Sequence, residues 1–255
     1  MTVLRSTDRE LYVRGSATLL ASWEEYARGS ADAALVRLPG VSAAVFPTHP
    51  ERAVYNNALL DRDLDAPERA AAVDALEAAY RSAGVERYAA WVHESDEGMR
   101  GELSGRGFSV DESTRAMGMS LRDVPPTLDD LDLDLDLAPR DWAEYVRYLE
   151  HAGAPAGLLA GADSAAFHLL LARVAGDVAA TALAFDHDGD CGLFNVSTVE
   201  AMRRRGLGTA LTARLVRDAA DRGCTTASLQ STAIAERVYA AVGFRDLGRI
   251  LEFVP

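Results

Sequence analysis

Asn195-Val196-Ser197-Thr198-Val199-Glu200-Ala201-Met202-Arg203-Arg204-Arg205-Gly206-Leu207-Gly208-Thr209-Ala210-Leu211 reads as a strand, a basic turn with two glycines, and the start of a helix. The strand reading rests on Leu193, Phe194, Val196, Thr198 and Val199, mostly β-branched or aromatic and preceded by Gly192. Leu207, Ala210, Leu211 and Leu215 repeat at helical spacing, with Arg214, Arg217 and Asp218 at the other positions. A helix start leaves backbone N–H groups without intrahelical partners and carries a partial positive charge. Glycines let an anion reach that backbone, and three arginines add full charges. The segment is an anion cradle, suited to a pyrophosphate.

Two common nucleotide loops are excluded. A P-loop needs a lysine after its last glycine, and this chain contains no lysine. A dinucleotide fingerprint needs a third glycine where Leu211 stands. What remains is Arg203-x-x-Gly206-x-Gly208, followed later by Tyr239-x-x-x-Gly243-Phe244. These segments, in that order, resemble the GCN5-related N-acetyltransferases (GNATs), whose acyl-CoA loop has the pattern Q/R-x-x-G-x-G/A and whose second motif is Y-x-x-x-G-F. The resemblance covers roughly residues 138–255.

The resemblance implies acetyl-CoA as co-substrate and an amine as acceptor. Main-chain groups of Val196, Ser197 and Thr198 would pair with the pantetheine amides and the thioester. The backbone from Arg204 through Arg205, Gly206, Leu207 and Gly208 to Thr209 would hold the pyrophosphate, with Arg203 at the signature position. Tyr239 would protonate the departing thiolate; a phenol's ordinary pKa of about 10 lies near a thiol's. The alternative for Tyr239 is a core residue packing the last helix on the sheet. A general base is not evident. Gln230 stands near a position where the family often has a carboxylate, Glu200 where it often has proline, and Asp186, His187 and Asp188 occupy a loop. Water relaying the proton to solvent serves equally well. The family's frequent asparagine after the fifth strand is also missing, Thr232 being nearest.

Composition sets outer bounds. At 255 residues, 49% hydrophobic and 25% charged, the chain suits two globular domains. No apolar run reaches the ~18 residues of a membrane span, and the N-terminus lacks a basic-then-apolar leader pattern. Two cysteines, Cys191 and Cys224, make neither a disulfide framework nor a metal site and read as buried structural thiols. These features lead to the expectation of a cytoplasmic protein without metal. The net charge of −13 argues against nucleic-acid binding, and an acidic envelope favours a cationic small-molecule amine. Nothing in the sequence separates a monomer from a homodimer.

Along the chain, residues 1–28 read as a helix, and 35–46 as strands broken at Pro39-Gly40. A strand at 54–60, a helix from Pro67 to about Ser82 and a short strand at 88–92 follow. A helix over about 96–104 and a strand near 115–121 complete the first half. Val124-Pro125-Pro126 marks a connection, and the Leu/Asp alternation from Asp129 to Leu137 reads as the first strand of the second half, an acidic linker being the alternative. Then come a helix (141–151), a helical segment (154–166), strands (167–174, 178–185, 191–199), the helix after Gly206, a strand (225–230), a helix (233–242) and a strand (244–253). This βααβββαβαβ order is that of the GNAT fold.

The two halves also match each other. Asn56 to Asn195 and Gly84 to Gly223 are both separated by 139 residues, and Gly107 to Gly243 by 136. The reading is an α/β (α+β) protein of two tandem GNAT-like halves, an arrangement similar to that of mycothiol synthase. Each half is a mixed, mostly antiparallel sheet flanked by helices. Residues 1–124 form a degenerate half and 125–255 the N-acetyltransferase. The first half carries Asp61, Asp63, Asp65 and Glu68 where the second has its glycines, so it is expected to bind no acetyl-CoA. The function expected is N-acetyl transfer by direct attack in a ternary complex. The alternatives are a non-catalytic acyl-CoA-binding module and an acyltransferase using another acyl-CoA.

Overall fold

A computed structural model describes residues 6–50, 55–123, 136–137, 141–152 and 156–255. The elements run α1 (Asp8–Arg28), β1 (Ala34–Leu38), β2 (Val41–Val45), β3 (Asn57–Leu60), α2 (Ala66–Ser82), β4 (Ala89–His93), α3 (Glu97–Gly105) and β5 (Ser109–Ser120). The second half runs β6 (Asp136–Leu137), α4 (Trp142–His151), α5 (Gly157–Ala160), β7 (His168–Val174), β8 (Asp177–His187) and β9 (Asp190–Thr198). It ends with α6 (Leu207–Asp221), β10 (Thr226–Ser231), α7 (Glu236–Val242) and β11 (Arg245–Val254). The protein is mixed α/β, its strands forming mixed sheets flanked by helices.

Most elements lie where the sequence places them, within one to three residues. The first helix begins at Asp8, where Thr7 and Glu10 exchange hydrogen bonds in a capping box. Gly40, at φ 79°, turns β1 into β2 after Pro39. The segment read as helical over 154–166 is shorter in fact. It contains the single turn α5 and a 3₁₀ turn at Ser164–Ala166, because Gly157 and Gly161 bracket it with poor helix formers. Of the alternation from Asp129 to Leu137, only Asp136–Leu137 lies within the described residues. It forms β6, antiparallel to β7.

Contacts divide the chain into two compact units. One comprises residues 1–21, 116–156 and 163–247; the other comprises 22–115, 157–162 and 248–255. In the second, the strand order is β1-β2-β3-β4-β11. The pairs β1–β2, β2–β3 and β4–β11 are antiparallel, and β3–β4 is parallel. Helix α2 lays Ala72, Val73, Leu76 and Tyr80 against Val41, Ala43, Val45 and Leu60 in this core, and Tyr80 Oη donates to the Ala44 carbonyl at 3.0 Å.

In the first unit the order is β5-β10-β9-β8-β7-β6, antiparallel from β6 through β9 and parallel between β9 and β10. Helix α6 covers the sheet with Leu207, Leu211, Leu215, Val216 and Ala219, packed with Leu193, Ala182 and Ala184.

Each unit is completed by a strand from the other half of the sequence. The end of β5 sends Met117 and Met119 into the core of the first unit. The end of β11 sends Leu251 and Phe253 into the core of the second. Burying each such side chain is worth roughly 1.5–3 kcal/mol, so the exchange is held by packing as well as by strand pairing. At β11, Gly248 has φ 101° and a Cβ there would lie 2.3 Å from His93 Nε2, so only glycine fits beside that buried imidazole. No helix among the described residues is long and apolar enough to cross a membrane.

Candidate functional site

Strand β9 separates from β10 partway along. Their parallel pairing runs only from Asp190↔Thr226 to Gly192↔Ser228, while β9 continues to Thr198 and β10 to Ser231. A bulge accompanies the divergence. Leu183 pairs with Phe194 and Thr181 with Ser197, so Asn195 and Val196 stand opposite Ala182 alone. Asn195 adopts φ 49°, a left-handed conformation that asparagine tolerates better than most residues. A bulge of this kind bends its strand and increases its twist. At the closed end, the buried Asp190 carboxylate accepts hydrogen bonds from Thr18 (2.8 Å), Thr226 (2.6 Å) and Ser228 (2.6 Å). Three hydroxyls offset much of the cost of burying that carboxylate and tie β9, β10 and α1 together where the strands still pair.

Past the separation lies a cavity of about 660 Å³. Its walls include Val196, Ser197 and Thr198 of β9, the turn residues Arg203, Arg204 and Gly206, and Leu207, Gly208 and Thr209 of α6. Tyr239 closes the wall from α7. The geometry thus brings together ten of the eleven residues singled out in the sequence. Arg205 is exposed and does not line the cavity. Thr232, which stands nearest to where the family often has asparagine, completes the wall with Met202, Ile234, Ala235 and Val238, to which the sequence reading assigns no role. Of these, Ile234 is 94% exposed, a large apolar side chain that contributes almost nothing to the core.

The start of α6 is built to leave its amides open. Its N-cap is Gly206 at φ 82°, and among the described residues no side chain caps the helix. The first-turn N–H groups of Leu207, Gly208 and Thr209 therefore have no capping acceptor. A Cβ on Gly208 would sit 3.9 Å from both Thr198 Oγ1 and Val238 Cγ1, within the cavity. Arg203 donates from Nε to the Thr198 carbonyl at 3.2 Å, which fixes the turn against the end of β9.

The corresponding place in the first half is closed. Asp65 caps α2 by accepting from Glu68 N at 2.9 Å, and Glu68 returns a bond to Asp65 N at 2.9 Å. The positive end of α2 is thus already occupied by two carboxylates. Strand β3 pairs with β4 as far as Leu59 and ends at Leu60, so only one residue of it projects beyond the pairing. Leu103, in the position matching Tyr239, is buried in the core.

Tyr239 is 7% exposed and meets Phe244 edge to face, ring centroids 6.1 Å apart. Burial pushes its phenol up to about 12, so it stays protonated across the neutral range. It belongs to the core and to the cavity wall at once.

Among the candidate bases, Asp186 is committed elsewhere. Arg222 donates to it at 2.6 and 2.9 Å, and His168 lies 3.3 Å away. Burial works to raise its pKa, but these partners outweigh that and hold the carboxyl well below the usual range. It is therefore too weak a base to take an amine's proton. Glu200 is exposed, His187 lies 3.5 Å from Asp188, and neither they nor Gln230 line the cavity. Burial raises the thiols as well, Cys191 strongly and Cys224 to about 11. Cys191 is buried as expected, whereas Cys224 sits half-buried in the turn before β10. Among the described residues no group of three or more His, Cys, Asp or Glu is placed to hold a metal ion.

Residues 131–244 match the family model described as Acetyltransferase (GNAT) family. No curated protein matches the chain. Among solved structures, a GCN5-related N-acetyltransferase from Kribbella flavida is similar with a TM-score of 0.70 and 19% identity, over 96% of this chain and 95% of that one. A tandem GNAT protein from the clavulanic acid biosynthesis pathway gives a TM-score of 0.60 and 15% identity, over 99% and 96%. A GCN5-related N-acetyltransferase from Sphaerobacter thermophilus gives 0.58 and 14%, over 98% and 94%. At these identities the structural matches speak to the fold. The family match covers the residues that build the cavity, and the structural matches show that the chain shares the fold of these proteins.

Proposed function

We infer that this protein transfers an acetyl group from acetyl-CoA to the amine of a small molecule, by direct attack within a ternary complex. The observation that carries the reading is the convergence of a diverging strand end, an uncapped helix start and a buried phenol on one cavity. Acetyl-CoA would supply the thioester; everything else comes from the chain. The first-turn amides of α6 and the turn from Arg203 to Gly206 bind the pyrophosphate, with the glycines allowing close approach. Main-chain groups of Val196, Ser197 and Thr198 pair with the pantetheine as an added strand would, holding the thioester carbonyl for attack.

The amine nitrogen forms the new C–N bond as the C–S bond breaks. Its proton leaves to solvent; the sulfur departs as a thiolate, to which Tyr239 donates a hydrogen bond, and then takes a proton from solvent. The raised pKa of Tyr239 makes full transfer to a thiol of ordinary pKa about 8.5 unfavourable in isolation, so its role is a charge-assisted hydrogen bond that strengthens as the thiolate develops.

Residues 1–124 act as the non-binding half, and the chain works in the cytoplasm. The rival reading, an acyl-CoA-binding module without turnover, draws on one observation: among the described residues no carboxylate or histidine lines the cavity.

The test is release of free thiol from acetyl-CoA across a panel comprising a polyamine, an aminoglycoside, an amino sugar and a peptide, with acetylated product identified by mass. Turnover with an amide product is expected. Binding of acetyl-CoA with no turnover on any amine would favour the module.

A further inference from the structure

The cavity lies on the α6 side of β9, where Thr198 Oγ1 stands close to the Cβ position of Gly208. The opposite face of the same strand segment is turned to α4. There Tyr145 and Tyr148, three residues apart and so on one side of the helix, reach Asn195 and Ser197. Asn195 Nδ2 donates to Tyr145 Oη at 3.1 Å, and Tyr148 Oη lies 3.2 Å from Ser197 Oγ. The Asn195 carbonyl is also taken, by Thr181 Oγ1 at 3.3 Å. What is left is Oδ1, which has no hydrogen-bond partner among the described residues, on a side chain that is exposed at the bulge.

Its counterpart in the first half is different. Asn56 is fully buried, its Oδ1 accepts from Phe46 N at 2.7 Å and its Nδ2 donates to the His49 carbonyl at 2.9 Å. One asparagine of the repeat is consumed in shaping a loop. The other is anchored through one atom and open at the next, in a backbone conformation uncommon for any residue but glycine.

We propose that Asn195 is the specificity-determining contact for the acceptor, its Oδ1 accepting an N–H of a primary amine that enters from the α4 face. An amide oxygen in this role takes a hydrogen from the nitrogen and leaves the lone pair free to attack. The bulge places the contact directly before Val196, where β9 begins to line the cavity. The hydroxyls of Tyr148 and Ser197 extend the same face, so the acceptor class is an amine carried on a hydrogen-bonding body. This inference rests on the acetyl-transfer reading above.

The test uses the full chain, acetyl-CoA and the best acceptor of the amine panel. Asn195→Gly keeps the left-handed backbone at no steric cost and removes the amide. It is expected to raise the amine KM about tenfold, the worth of one hydrogen bond, while the acetyl-CoA KM stays put and the melting temperature falls by no more than about 4 °C, the loss of the anchor to Tyr145. Asn195→Asp retains an acceptor oxygen and is expected to stay within about threefold of the parent, a difference smaller than half of one such bond. An unchanged amine KM in Asn195→Gly, or both KM values rising together, overturns the inference while leaving acetyl transfer in place. Absence of turnover in the unmodified protein overturns both.

Discussion

Replacing Gly206 by aspartate is expected to abolish acetyl-CoA binding without unfolding the protein. Two effects add. Gly206 holds φ 82°, where a residue with a Cβ costs roughly 1–2 kcal/mol. The larger effect is electrostatic. A carboxylate about 5 Å from one phosphate charge, at an effective dielectric of ~20, costs about 3 kcal/mol, and a pyrophosphate carries more than one charge. That alone removes more than two decades of affinity. Gly206→Ala separates the two effects, since it introduces the Cβ without the charge and should weaken binding far less. Calorimetry with acetyl-CoA, next to a melting curve for each variant, measures both. Unchanged affinity in folded Gly206→Asp would take the pyrophosphate away from this turn.

Tyr239→Phe is expected to lower kcat by about 10–100-fold with little change in acetyl-CoA affinity. A hydrogen bond to a charged group is worth about 1.5–3 kcal/mol, and this one forms only as the thiolate develops. The substitution removes one oxygen and keeps the edge-to-face contact with Phe244, so the fold is retained. The pH profile carries a second signature. With the phenol raised to about 12 by burial, loss of its proton produces no fall in kcat until the pH nears that value. A basic limb centred well below that, absent from Tyr239→Phe, would mean that the phenol titrates far lower than its burial dictates. An unchanged kcat, with chemistry shown to be rate-limiting, would return Tyr239 to the core.

The cavity-lining turn was legible in the sequence because local chemistry is sufficient there. Glycine, arginine and helical periodicity lie within one contiguous stretch, so the turn from Arg203 to Thr209 could be read without the fold. The 139-residue offset likewise exposed the repeat, because Asn56 and Asn195 keep their places ahead of matching helices. What stayed hidden depends on distant pairing. Nothing local in β11 announces that it joins β4, or that the end of β5 packs its methionines into the first unit's core.

The separation of β9 from β10 is also non-local, set by a bulge whose only trace is an asparagine in an otherwise β-rich run. That asparagine was a usable signal, as it is a residue that strands disfavour and left-handed backbone tolerates. So was Asp65-x-x-Glu68, a capping-box pattern that explains why the first half keeps its helix start closed. Asp186 was misleading, since its partner Arg222 lies 36 residues away.

One titration bears most directly on the claim that the acyl-CoA site belongs to the second half alone. Acetyl-CoA titrated into the full chain by calorimetry should give one binding event per chain, lost in Gly206→Asp and preserved when Asp65 and Glu68 are both replaced by alanine. Two events per chain, or a single event that survives Gly206→Asp, would contradict it.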